Sequence, residues 1–248
     1  MLLGDDLIKK RAVIIGGALF LLLIGRFVYG QYYDYQIEKA VNNITTVFLK
    51  AVVEGEANKA KEHTSGHIMW DLAARELPSA KLIQLTTETT AYSDTWAQVE
   101  SIVQLECSDG LNDVGFYTVS LSKENGEWKV VDFLKEAYFV KGKTLRATEV
   151  QSREIKTVFS SFLNNLIDNK TLEAKKQLAG VAKEAYEWGL PKTTESPIKS
   201  FSDLQVESLW FRDKTTAAKF VYKVDNRPVE VIVYFYKTLN DGWKIIKI

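Results

Sequence analysis

The chain has 248 residues, is 46 % hydrophobic and 26 % charged, and balances 32 basic against 32 acidic side chains. That composition fits a folded globular protein and excludes a disordered or low-complexity one. With no concentrated basic stripe in either half, no nucleic-acid partner is expected, and the single cysteine, Cys107, rules out an intrachain disulfide.

At the N-terminus, Lys9-Lys10-Arg11 precedes Ala12 to Gly25, fourteen uncharged residues, after which Arg26 interrupts and Phe27-Val28-Tyr29 follows. Taken through Tyr29 the run is 18 residues, roughly 27 Å as a helix, against a hydrocarbon core of about 30 Å. We read it as an N-terminal transmembrane helix, with Arg26 snorkelling outward and Tyr29, Tyr32, Tyr33 and Tyr35 in an aromatic belt. A cleaved signal peptide ending near Val28-Tyr29-Gly30 is the rival reading. No cysteine directly follows the run, which excludes a lipoprotein anchor. The expected localisation is a single-pass protein of the cell membrane, with a cytoplasmic N-terminus and extracytoplasmic C-terminal domains.

Next, Ile37, Val41, Ile44, Val47-Phe48 and Val52 recur at helical spacing. A break at Glu54-Gly55-Glu56 leads to a second helical stretch ending near Trp70. The period then changes to two, and strands are predicted over 81–92, 96–107, 114–123 and 127–134, with Asn125-Gly126 as a hairpin turn. Cys107 shares one strand face with Ala97, Val99, Ser101, Val103 and Leu105, which reads as a small buried hydrophobe.

"KGKT" at Lys141 lacks the upstream glycine of a phosphate-binding loop, because Ala137 stands there, and reads as linker. The second half repeats the order. Ile155, Val158-Phe159, Phe162-Leu163 and Leu166-Ile167 are helical, Asp168-Asn169-Lys170 breaks, and strands are predicted over 203–211, 215–225, 229–238 and 242–248. Turns fall at Asp225-Asn226-Arg227-Pro228 and Asp241-Gly242. Phe48 aligns with Phe162, Leu49 with Leu163, and Trp70 with Trp188. "YTVSLSKENGEWKVV" aligns with "IVYFYKTLNDGWKII". This is a duplication. The fold class is α+β, an N-terminal transmembrane helix followed by two tandem domains. In each, N-terminal helices pack on a curved antiparallel sheet. Residues 1–35 are the cytoplasmic start and anchor, 36–140 the first repeat, 141–149 a linker and 150–248 the second repeat.

Helix, short helix, then an antiparallel sheet whose last strand opens on Gly-x-Trp or Gly-Trp resembles the nuclear transport factor 2-like superfamily, in two copies. An anchor followed by two such domains is similar to the TcpC-like scaffold proteins of Gram-positive conjugation machines. That resemblance implies a scaffold of a conjugation or type IV secretion assembly, and it carries no short motif and hence no functional residue.

The residues offer little chemistry. His63 and His67 lie four apart, as metal ligands can, but Gly66 weakens the helix between them and no Glu or Cys completes a compact set. Either with Asp71 would imitate the His and Asp that some enzymes of the superfamily hold in the cone between helices and sheet. No catalytic residue, metal or cofactor is expected. In "VEVIVYFYK", Val229, Val231, Val233 and Phe235 form one apolar face and Ile232, Tyr234 and Tyr236 a second. A helix-covered sheet needs only one. The second face is a possible interaction surface for the other repeat, another copy of the chain, or a protein partner. Charge supports different surfaces on the halves. Residues 31–147 hold 12 basic and 17 acidic side chains, net −5, whereas 148–248 hold 16 and 13, net +3. The expected function is a non-enzymatic membrane-anchored scaffold or interaction module. The alternatives are a small-molecule binder or a dehydratase- or isomerase-type enzyme using the cone of one repeat.

Overall fold

The computed structural model describes residues 3–74, 77, 79–139, 145, 147–189, 198–212 and 214–248. Helix α1 (Leu3–Val53) is followed by α2 (Ala57–Glu62), α3 (His67–Ala74) and four strands, β1 (Lys81–Tyr92), β2 (Trp96–Glu106), β3 (Asn112–Glu124) and β4 (Glu127–Glu136). The second half repeats this with α4 (Glu149–Ile167), α5 (Thr171–Lys176), α6 (Gly180–Gly189), β5 (Phe201–Arg212), β6 (Thr215–Val224), β7 (Arg227–Lys237) and β8 (Trp243–Lys247). Each half has its own four-stranded antiparallel sheet with strands in chain order. The Lys141–Thr144 segment lies outside the described residues. Helix α4 starts inside the stretch read as linker, where Thr148 accepts from Gln151 N and Gln151 returns the bond in a capping box.

The transmembrane helix of the sequence reading is corrected here. Among the described residues, no helix is long and apolar enough to cross a membrane. The run Ala12 to Gly25 has fourteen residues between two charged boundaries, and a span needs about 20. The same helix continues unbroken past Arg26 and Asp34, and past the boundary drawn at 35/36, into the first half's core. There it buries Ile37, Val41, Phe48 and Leu49, one apolar stripe at helical spacing.

Both sheets follow one set of local rules. Asn125 and Gly126 have φ of 52° and 88°, and Asp225 and Asn226 have φ of 47° and 65°, the left-handed pairs that a two-residue hairpin turn demands. Bulges bend the strands at matching places, between Thr89 and Ala91 in β1 and between Ser208 and Trp210 in β5. The segment before the third helix ties to the last strand in each half. Val130 N donates to His63 O at 2.8 Å and Ser65 N to Val130 O at 3.0 Å, while Ile245 N donates to Gln177 O and Ala179 N to Ile245 O, both at 2.9 Å. Gly66 and Gly180 then open the third helix with φ of 64° and 57°.

That anchoring corrects two alignments. Counting from the paired glycines, Trp70 is level with Glu184, not Trp188. Both tryptophans are solvent-exposed, at 70 % and 91 %. In the last hairpin, Lys123 pairs with Trp128 and Lys237 with Trp243, so the second turn is one residue longer. Tyr117 therefore corresponds to Val231 rather than Ile232. A one-residue slip exchanges the two faces of a strand.

Candidate functional site

The outer face of β7 answers the question its two apolar faces raise. Tyr236 is buried, Tyr234 is half-buried and Ile232 remains 44 % exposed. Tyr236 meets Phe116 of β3 edge to face, with ring centroids 5.5 Å apart, and Phe116 meets Phe139 at 5.7 Å. Val114, Ala179 and Ile246 complete a small apolar core that belongs to both halves. Tyr234 stacks on Tyr138 at 4.3 Å, and Lys247 lies over both rings at 5.6 and 5.4 Å. The Tyr138 hydroxyl is pushed up to about 12, first by its hydrogen bond with Tyr234 and then by burial. The corresponding face of β3 carries Thr118, Ser120 and Ser122 further along, too polar to extend this contact.

Around the apolar centre runs a ring of polar ties. Gly180 N donates to Asp113 Oδ1 at 2.7 Å. The chain approaches so closely here that a Cβ on Gly180 would stand 3.0 Å from Val114 O, and its φ is left-handed as well, so only glycine is at ease. Lys183, buried to 4 % exposure, sets its Nζ 3.7 Å from Asp113 Oδ2 and 3.4 Å from Cys107 Sγ. Lys175 Nζ lies between Asp109 and Glu187, at 2.9 and 2.8 Å. The hydrogen bonds to Glu187 and Asp109 hold its ammonium well above the usual lysine value, and Lys175 in turn holds Asp109 below the usual carboxylate one. Lys135 pairs with Glu184. Burial works against the Lys135 charge, yet the bond to Glu184 keeps its pKa raised. Asn112 donates to Asp241, and Leu239 N donates to Gln104 Oε1 at 3.0 Å. Across the junction Asp109–Lys175 and Asp113–Lys183 pair acidic groups of the first half with basic groups of the second, in the sense of the charge asymmetry, while Lys135–Glu184 runs the other way.

Chemically this arrangement joins two surfaces through paired charges and stacked rings. Cys107 follows the end of β2 and is half-buried. Burial pushes its thiol up more than the nearby Lys183 ammonium draws it down, which leaves it a poor nucleophile. The ammonium groups are spent in ion pairs. His63, His67 and Asp71 lie elsewhere. His63 caps the end of α2, His67 is exposed with Nε2 3.8 Å from Asp132 Oδ1, and Asp71 is exposed on α3. None enters the helix–sheet core. Asp109, Asp113, Lys175, Lys183 and Gly180 carry no motif. The signals that pointed here were the surplus apolar face of β7 and the opposite charge of the halves.

No family model and no curated protein matches the chain. A solved structure described as an "Ntf2 like protein involved in plasmid conjugation" matches over 77 % of this chain and 84 % of its own length, at 10 % identity and a TM-score of 0.27. At that TM-score the match carries no argument about fold or role.

Proposed function

We propose that this chain is a non-catalytic scaffold: two copies of one NTF2-like plan, locked face to face, that present their remaining surfaces to protein partners in a bacterial assembly. Conjugation or secretion is the setting the sequence resemblance implies. The observation that carries the reading is the junction itself. Its lysines and carboxylates are tied in fixed pairs, its one thiol is pushed away from reactivity, and its aromatic centre engages Tyr234 and Tyr236 of the second face of β7. What stays outside is apolar and unspent, namely Trp188 on α6, Trp70 on α3 and Ile232 on β7. Large exposed aromatics are frequent anchors of protein interfaces.

Site-specific photo-cross-linking in the producing cells tests this. A photoreactive phenylalanine at 188, 70 or 232 is expected to capture a discrete partner or a second copy, while the same group at buried Phe235 captures nothing. Uncaptured monomer at all three positions, with the protein folded and the group reactive, overturns the reading.

A further inference from the structure

The two halves fill equivalent places in their cores with opposite chemistry. Phe48 of α1 and Phe162 of α4 are buried counterparts 114 residues apart, and the same spacing sets Thr45 level with Phe159. Strand pairing fixes a second equivalence. Ser101 pairs with Tyr117, Phe220 pairs with Val231, and Tyr117 and Val231 are again counterparts. In the second half Phe159 and Phe220 meet, with ring centroids 4.2 Å apart. This helix position therefore faces this strand position. In the first half the same two positions hold Thr45 and Ser101, two hydroxyls, both at 0 % exposure.

Neither hydroxyl has a hydrogen-bond partner among the described residues. A threonine in a helix commonly returns its hydroxyl to the carbonyl four residues back, as Thr46 does to Asn42 at 2.7 Å and Thr157 to Arg153 at 2.9 Å. Thr45 makes no such bond. Two more buried oxygens without a partner among the described residues lie on the same surfaces. Thr89 Oγ1 belongs to the core face of β1, since Thr89 pairs with the buried Val99. Asn42 Oδ1 sits three residues before Thr45, on the same side of the helix. Buried polar atoms are nearly always hydrogen-bonded, to protein or to ordered water.

We infer that the first half carries an internal binding site between α1, β1 and β2 for small uncharged hydrogen-bonding molecules, and that water occupies it. The second half has closed the equivalent place with two rings. The donors and acceptors are three hydroxyls and an amide oxygen, so they suit a molecule that both gives and takes hydrogen bonds and bears no charge. The guest is small, because Phe48 packs on Phe133 at 5.6 Å and Tyr117 on Phe133 at 5.5 Å in the same core. A water needs two to four polar partners to stay in such a place. This inference does not depend on the scaffold reading.

The test is oxygen-17 magnetic relaxation dispersion on the full chain, which counts long-lived internal waters, for the parent, Thr45→Val/Ser101→Ala and Thr45→Ser. The parent is expected to show a long-lived component that the double variant loses and Thr45→Ser keeps. The double variant is also expected to melt at a lower temperature, because its water leaves a void. A parent without the component, or a double variant that keeps it, overturns the inference. So does a double variant that melts higher than the parent, the result expected when replaced hydroxyls had no partner at all.

Discussion

Trp243 donates its Nε1–H to Glu154 Oε2 over 2.8 Å, tying the last strand of the chain to the first helix of its half. Lys237 closes the cluster, with Nζ 5.5 Å from the indole centroid and 3.7 Å from Glu154 Oε2. In the first half Lys123 lies over Trp128 in the same way, at 5.8 Å, but the helix position level with Glu154 is Ala40. Two equally buried tryptophans thus differ in one polar anchor.

Truncating either ring to alanine is expected to cost about 3–5 kcal/mol, the usual loss for a large buried aromatic. The informative pair is Trp→Phe. Trp243→Phe is expected to cost about 1.5 kcal/mol more than Trp128→Phe, at the low end for a hydrogen bond to a charged group because Glu154 is partly exposed. Denaturant midpoints at unchanged m-value measure the difference. Equal losses at the two sites would show that the Glu154 bond contributes nothing.

The contact of Phe116 with Tyr236 joins the cores of the two halves, which are therefore expected to unfold as one cooperative unit. The parent is expected to unfold in a single calorimetric transition. Phe116→Ala is expected to lose about 3–5 kcal/mol of coupling and to split that transition in two. A variant that still melts in one step, merely shifted, would mean that the polar ring alone couples the halves.

Asp113 and Lys183 are unequal partners. Asp113 Oδ1 also accepts from Gly180 N and Val114 N, both at 2.7 Å, so its carboxylate stays satisfied without the lysine. Lys183 is buried against the carboxylate and a thiol. Asp113→Ala is therefore expected to be the costlier change, by about 3–5 kcal/mol, as for a buried ion pair broken on one side. Lys183→Met is expected to be much milder, and the double variant to recover only the share due to the stranded lysine, because Gly180 N and Val114 N still lack their acceptor. Urea titrations of the three proteins decide it, and a costlier Lys183→Met would reverse the assignment.

The junction is also expected to loosen in acid. Lys175, aided by Leu111 N–H, holds Asp109 below its ordinary value. Burial opposes ionisation of Asp241, but Asn112 and Lys244 still hold it low. A carboxyl lowered in the folded state stabilises fully above its unfolded value, about 3.9, and that stabilisation is lost as pH falls through the folded value. The unfolding midpoint should thus decline below about pH 4. Lys175→Met should flatten that decline. An identical acid limb in the variant would remove Asp109 from the account.

Much of the fold was legible because its signals are local. The alternation over 81–92 coincides with β1, and Trp96–Glu106 stops one residue short of the predicted 96–107. Asn125-Gly126 turns where the dipeptide requires positive φ. The transmembrane reading went wrong on length, since fourteen apolar residues were extended past Arg26 to reach a span. The repeat alignment went wrong wherever it followed residue identity: a shared Trp drew Trp70 to Trp188, and a matching Gly-Trp pulled β3 and β7 one residue out of step.

By itself the sequence determined the order of elements, the turns and the two-faced character of β7, because side-chain period and turn chemistry act over a few residues. Only the tertiary structure decided what covers the second face of β7 and which charges pair across the junction. Asp113 and Gly180 stand 67 residues apart, and Asn112 and Asp241 stand 129 apart. Contacts at such separations are set by packing complementarity between whole sheets, and no local pattern encodes them. The opposed hydroxyls of Thr45 and Ser101 are legible only once Phe159 and Phe220 show which helix position faces which strand.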